Sequence, residues 1–141
     1  MALIPQLNIE KCLNTLLSEL AAAKGYPVRY QGFAVDGDDI ALDTPHLQSF
    51  NLPAESLTIG IAYDSSVDMS GIFQINAYTQ NGAGMAEMWQ IVSDVMEKFE
   101  RGATSTVGGT TVLIEKSYSA PMILDESWQM IPVSINYRAI V

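Results

Sequence analysis

Between Gly71 and Gly102 a strand pattern, a glycine turn and an amphipathic helix follow one another without a break, and this run constrains the fold more than any other part of the chain. Phe73, Ile75 and Ala77 alternate with Gln74, Asn76 and Tyr78, the period of two that sends neighbouring side chains to opposite faces of a strand. Asn81, Gly82 and Gly84 turn the chain. Met85, Met88, Trp89, Val92, Val95, Met96 and Phe99 then recur at helical spacing, and Arg101 and Gly102 supply a cationic end and a stop. The run reads as scaffold and carries no acid–base motif.

The other elements follow the same two periods. Asn8 is placed to cap a helix reaching Lys24, with Ile9, Cys12, Leu13, Leu16, Leu17 and Leu20 as its apolar stripe and Leu7 as a staple toward Cys12. Gly25 and Pro27 end it. Strands are predicted over Val28 to Phe33, over His46 to Leu52 with Pro53 as a stop, and at an edge over Ser56 to Tyr63, followed by a loop from Asp64 to Ser70. The strand Ile72 to Thr79 and the helix Met85 to Glu100 come next. Paired glycines at Gly108 and Gly109 suit a hairpin turn feeding a strand from Thr111 to Lys116. At the end, Ile131, Val133, Ile135, Tyr137 and Ala139 alternate with Pro132, Ser134, Asn136 and Arg138. Helices separated by strands, without a βαβ rhythm, give an α+β class: a mostly antiparallel sheet with two amphipathic helices packed on one face.

The 141 residues are read as a single domain, 1–141. Cys12 is the sole cysteine and lies on an apolar helix face, the pattern of a buried thiol in a reducing compartment. No apolar run reaches the roughly 18 residues of a membrane span, so no membrane partner is expected and synthesis is assigned to the cytoplasm. Seven basic against sixteen acidic residues give a formal charge of -9. The cations are spread along the sequence without a basic run, which argues against specific nucleic-acid binding.

Motifs for chemistry are missing. Asp36, Asp38, Asp39 and Asp43 form an acidic loop, but Ile40 and Ala41 break a calcium-loop pattern, so a solvated loop is the simpler reading. His46 is the single histidine, and no G-x-S-x-G elbow surrounds Ser65 or Ser66. The glycines fit neither dinucleotide nor P-loop spacing, and the glutamates are scattered. No cofactor, metal site or catalytic residue is expected. On the methionine-rich helix, Ile91 lies outside the centre of the apolar stripe and widens it, which suits either extra core or a subunit interface. Trp128, ahead of the last strand, is open to the same two roles, a core lid or an interface anchor.

Gly71-Ile72-Phe73-Gln74-Ile75-Asn76-Ala77-Tyr78 with the turn at Gly82 and Gly84, Phe99-Glu100-Arg101-Gly102, Gly108-Gly109 with Val112 and Ile114, and Trp128 followed by Ile131 to Ala139 together resemble the tail terminator, or tail completion, proteins of long-tailed bacteriophages. Pro45, His46 and Leu47 fit an earlier strand of that family more loosely. The resemblance implies a non-enzymatic virion protein forming a ring, with six subunits as the implied count, that caps the tail tube and meets the head–tail connector. Its implied partners are further copies of itself, the tail tube protein and the connector protein, and its implied location is the virion tail after assembly in the host cytoplasm. On this reading Ile91, Arg101, Trp128 and Arg138 are candidate subunit-interface residues, and Asp36, Asp38, Asp39 and Asp43 a candidate lumen-facing acidic loop. A head-completion or other connector-ring protein is the alternative within the class. A small-ligand-binding α+β domain, with a polar pocket around His46 or several carboxylates, is the alternative outside it.

Overall fold

The longest pairing in the molecule joins the two segments whose alternation is clearest in the sequence. In the computed structural model, which describes residues 5–30, 45–53, 57–58, 67–82, 84–124 and 128–140, the elements run α1 (Pro5–Lys24), β1 (Val28–Arg29), β2 (His46–Pro53), β3 (Leu57–Thr58), β4 (Val67–Gln80), α2 (Ala86–Lys98), β5 (Thr104–Val107), β6 (Thr110–Ser119), β7 (Ile123–Leu124) and β8 (Trp128–Ile140). Strands β4 and β8 lie antiparallel from Asp68 opposite Ile140 to Gln80 opposite Trp128. The sheet order is β1-β2-β4-β8-β6-β5, with β3 paired to β4 and β7 to β8. Among the described residues only β1 with β2 is parallel. The α+β class and the mostly antiparallel sheet are as the sequence implies.

One sheet face carries the core. Phe73, Ile75 and Ala77 of β4, Ile131, Val133, Ile135, Tyr137 and Ala139 of β8, and Val112 and Ile114 of β6 are all buried, as a period of two requires of strands with one face against apolar neighbours. Helix α1 packs against β5 and β6, α2 against β4 and β8, and the helices meet each other. The Phe99 ring, just past α2, lies 5.8 Å from that of Phe73. At Gly71 the backbone passes so close to Tyr137 that a Cβ would sit 2.6 Å from the tyrosine Oη, and that hydroxyl donates to Asn51 Oδ1 at 2.7 Å. A side chain at position 71 would displace this lock between β2, β4 and β8.

Several boundaries differ from expectation. Helix α1 begins at Pro5, where proline's missing N–H is harmless, so Asn8 is inside the helix and its amide donates to Thr110 Oγ1 at 3.4 Å. Leu7 is consequently a helical, exposed residue and not a staple. Val67 to Ser70, expected in a loop, belong to β4, because β8 is long enough to pair with Asp68 to Ser70 and β3 pairs with Val67 and Asp68. Of the strand expected over Ser56 to Tyr63, Leu57 and Thr58 are in β3, and Pro53, expected to stop β2, still pairs with Gly71. Strands β5 and β7 were not expected. Gly108 and Gly109 do form the turn between β5 and β6, both with positive φ (59° and 84°), and Val107 faces Thr110 across it.

Candidate assembly surface

The two arginines named from sequence are brought to one groove. After α2 the chain turns through Arg101 and Gly102, and Gly102 N–H donates to Ile114 O at 2.8 Å while Ile114 N–H donates to Ala103 O at 2.9 Å. This clips the turn to β6. Arg138 of β8 stands opposite Leu113 of β6. Arg101, Leu113, Glu115 and Arg138 thereby line a groove of about 280 Å³. Two arginines, one glutamate and the Leu113 side chain meet there.

A β-bulge extends that surface. The β6–β8 register shifts between Ile114 and Lys116, so one extra residue sits on β6. Strict alternation from Leu113 would turn Lys116 and Tyr118 inward. The extra residue instead sets Lys116 opposite Asn136 and Tyr118 opposite Ser134, on the face of Leu113 and Arg138. Leu113 is 40% and Tyr118 43% exposed, and the Lys116 ammonium lies 5.4 Å from the Tyr118 ring centre. The result is a solvent-facing strip of apolar and cationic side chains on an acidic protein. Sequence reading missed it because the bulge has no glycine to announce it.

The other end of β8 is closed by its own chain. His46 is buried and stacks on Tyr78 with ring centres 4.7 Å apart, and Trp128 meets His46 edge-on at 5.0 Å. Tyr78 donates to Gln48 Oε1 at 3.1 Å. Trp128 is only half-buried, so it acts here as a lid on the aromatic cluster. His46 is thus a packing residue.

On α2 the positions of two apolar residues are reversed from expectation. Ile91, placed at the margin of the stripe, is 1% exposed within the core of this chain, while Trp89, placed inside, is 50% exposed. The helix turns Met88, Ile91, Val92 and Val95 inward, about 100° per residue, and Trp89 falls beyond the edge of that arc. Ile91 therefore has no surface to offer a neighbour while the chain is folded, and core packing accounts for it. Asp94 on the same helix is also buried, its Oδ2 accepting from Tyr26 Oη at 2.6 Å and its Oδ1 from Gln90 Nε2 at 3.0 Å. Burial, then the bond to Asp94 and the charges of Asp94 and Glu87, push the Tyr26 hydroxyl well above its ordinary pKa.

A second groove between the helices, about 420 Å³, is lined by Glu19, Asp94, Glu97 and Glu100 together with Lys24 and Lys98. Lys98 pairs with Glu19 at 2.7 Å and so ties α2 to α1, while Asp94 is held by Tyr26, just past the end of α1, and by Gln90 on its own helix. His46 does not line it. Among the described residues no group of three or more His, Cys, Asp or Glu is placed to hold a metal ion. Cys12 is buried, its thiol donating weakly to Thr110 O at 3.7 Å, and burial raises its pKa. No described helix is long and apolar enough to cross a membrane. Asp36, Asp38, Asp39 and Asp43 lie outside the described residues.

Comparison with known proteins now adds what geometry alone does not. The sequence profile of a family described as phage tail terminator protein matches residues 8–137. A solved structure superposes with a TM-score of 0.75 over 93% of this chain and 92% of its own, at 20% sequence identity, which is a likeness of fold. None of the curated protein sequences matches the chain significantly.

Proposed function

The chain belongs to the phage tail terminator family, a structural component of the virion tail, and we propose that it closes the finished tail tube as a ring and presents that ring to the head–tail connector. The observation that carries this reading is the family match over residues 8–137. A cap of this kind has a simple physical basis. Head-to-tail stacking of tube rings continues indefinitely unless a subunit matches the growing end with one face and withholds a matching face on the other. A closed ring satisfies this when each subunit contacts its neighbours through two different patches.

Charge supports a passage through which DNA moves without binding. The chain carries a formal charge of -9, so a phosphate backbone is repelled by most of its surface. The role proposed is wholly structural and needs no reaction: stack on the tube, stop growth and dock the head.

A phage lacking the gene tests the proposal. Filled heads without tails, together with tubes of abnormal length, are expected by electron microscopy. Adding the purified protein to such lysates should restore joining where tubes have not overgrown. Normal-length tails that fail to join heads would instead assign the chain to the connector side, and normal tails that join would remove it from this step.

A further inference from the structure

We infer that Asn81–Gly82, in the turn between β4 and α2, is a site of spontaneous deamidation, where the asparagine becomes aspartate or isoaspartate with water as the sole co-reactant. The inference stands apart from the ring reading. Closing an asparagine side chain onto the nitrogen of the next residue needs an uncrowded nitrogen, a backbone able to rotate, and access for water. The chain has six asparagines, followed in turn by Ile9, Thr15, Leu52, Ala77, Gly82 and Tyr137, so Asn81 alone precedes a glycine.

The fold singles out the same residue. Asn8 and Asn14 lie within α1, and Asn51, Asn76 and Asn136 lie in β2, β4 and β8, where helix and ladder hydrogen bonds hold the main chain in one conformation. Asn81 and Gly82 are both exposed in a turn. Gly82 has a φ of 88°, a region that glycine enters without steric cost, and a Cβ placed on it would meet no atom within 4 Å. The space beside its nitrogen is open. Exposed turns of this kind are also where the chain most readily changes conformation.

The reaction balances with the groups present. The Gly82 N–H gives up its proton and the nitrogen attacks Cγ of Asn81: a bond forms from that nitrogen to Cγ, the Cγ–Nδ2 bond breaks, and the departing nitrogen takes up a proton and leaves as ammonia. A cyclic imide remains. Water then adds to one of its two carbonyl carbons. Cleavage between Cγ and the ring nitrogen gives aspartate on an unaltered main chain, whereas cleavage between the main-chain carbonyl carbon and that nitrogen gives isoaspartate, with the chain now running through Cβ and Cγ.

The two products act differently on the fold. Aspartate adds a negative charge to the turn and leaves its length unchanged. Isoaspartate also adds one carbon to the main chain between Thr79 and Gly84, the two residues that Gln129 Nε2 holds at 2.8 and 2.6 Å. A longer path between two fixed anchors works against that hold, so isoaspartate loosens the entry to α2.

Incubation of the full chain at mildly alkaline pH, followed by intact mass measurement and peptide mapping, tests the site. Most chains should gain one dalton at Asn81 while the other five asparagines stay amides, and the rate should rise in proportion to hydroxide. Asn81→Gln should keep the fold and lose the mass gain, because its longer side chain must close a larger and less favourable ring. A synthetic peptide spanning Thr79 to Gly84 supplies the rate of the same sequence without the fold. A folded chain that stays intact while the peptide converts overturns the inference, as does conversion that begins at another asparagine. In the isoaspartate fraction, amide exchange at the entry to α2 should be faster than in the unconverted chain. Unchanged exchange there overturns the loosening.

Discussion

Strand β8 ends in two opposite ways. At its start Trp128 is taken up by His46, which in turn stacks on Tyr78, and the aromatic surface is spent within the chain. Near its end Arg138 stands beside Leu113 on an open groove, and the strip past Lys116 and Tyr118 stays in solvent. Both residues occupy the same face of the same strand, since Trp128 and Arg138 are an even number of positions apart. The difference is made by what the neighbouring strands bring. Strand β2 supplies an aromatic partner at one end, and β6, with its bulge, supplies exposed ones at the other. A tryptophan in a sequence is thus weak evidence for an interface until its intramolecular partners are known.

The largest effect is expected at the closed end. Trp128→Ala should destabilise the chain by about 3 kcal/mol, because it removes a large ring from a packed aromatic contact and leaves one side of His46 uncovered. Urea unfolding read by circular dichroism would measure it. A loss below about 0.5 kcal/mol would mean that the cluster is not closed and would erase the contrast between the two ends.

Gln129, the next residue, sharpens the same point through hydrogen bonds. Its buried Nε2 donates to Thr79 Oγ1 at 2.8 Å and to Gly84 O at 2.6 Å, tying β8 to the turn that enters α2. Gln129→Ala should cost about 2 kcal/mol, since it deletes two buried bonds as well as side-chain volume. Amide exchange in the turn before α2 should accelerate more than exchange in β6.

How much of this was legible depends on whether a single period controlled the residue. The alternation from Ile131 to Ala139 and the paired glycines at 108 and 109 were readable because strand period and turn chemistry each act locally. The start of α1 was misplaced because Asn8 is a good cap in isolation, while Pro5 is an equally good first residue and Asn8 has a tertiary partner in Thr110. Ile91 and Trp89 were exchanged because an apolar arc on a helix wheel has no marked centre until its neighbours are present. The strip depends on a bulge at Ile114 to Lys116, and an insertion of one residue is invisible in a pattern that simply stops alternating. Arg101 and Arg138 were named separately, but their meeting is a product of the clip between Gly102 and Ile114.

Tyr137 gives a smaller, pH-dependent effect. Burial pushes its hydroxyl above the ordinary value of 10.0, with Glu10 adding to the rise and the bond to Asn51 opposing it. The unfolded chain therefore releases this proton at a lower pH than the folded chain. With more protons bound in the folded state, stability falls as pH rises, beginning near the unfolded value and continuing until the folded hydroxyl also ionises. Below that window the stabilisation is fully present. Tyr137→Phe should cost about 1 kcal/mol at neutral pH, through loss of the bond to Asn51, and should flatten the decline above pH 10. An unchanged alkaline slope would assign that decline to other groups, with Tyr26 the first to substitute.

The smallest effect on folding is expected where the surface is open, and its smallness is the useful result. Arg138 is exposed on β8, and Trp89 is half-exposed on α2, so truncating either leaves no large cavity. Arg138→Ala and Trp89→Ala should each change the unfolding free energy of the single chain by less than about 0.5 kcal/mol at low protein concentration. At high concentration the comparison changes. If these residues join subunits, assembly stabilises the folded form by mass action, and the variants should fall behind the unsubstituted chain as concentration rises. Trp128→Ala should show a deficit that is present at every concentration, because its contacts lie within one chain. Denaturation curves at two concentrations a hundredfold apart separate the two behaviours. A concentration-independent loss at Arg138 would make it a folding residue like Trp128, and the two ends of β8 would then be alike.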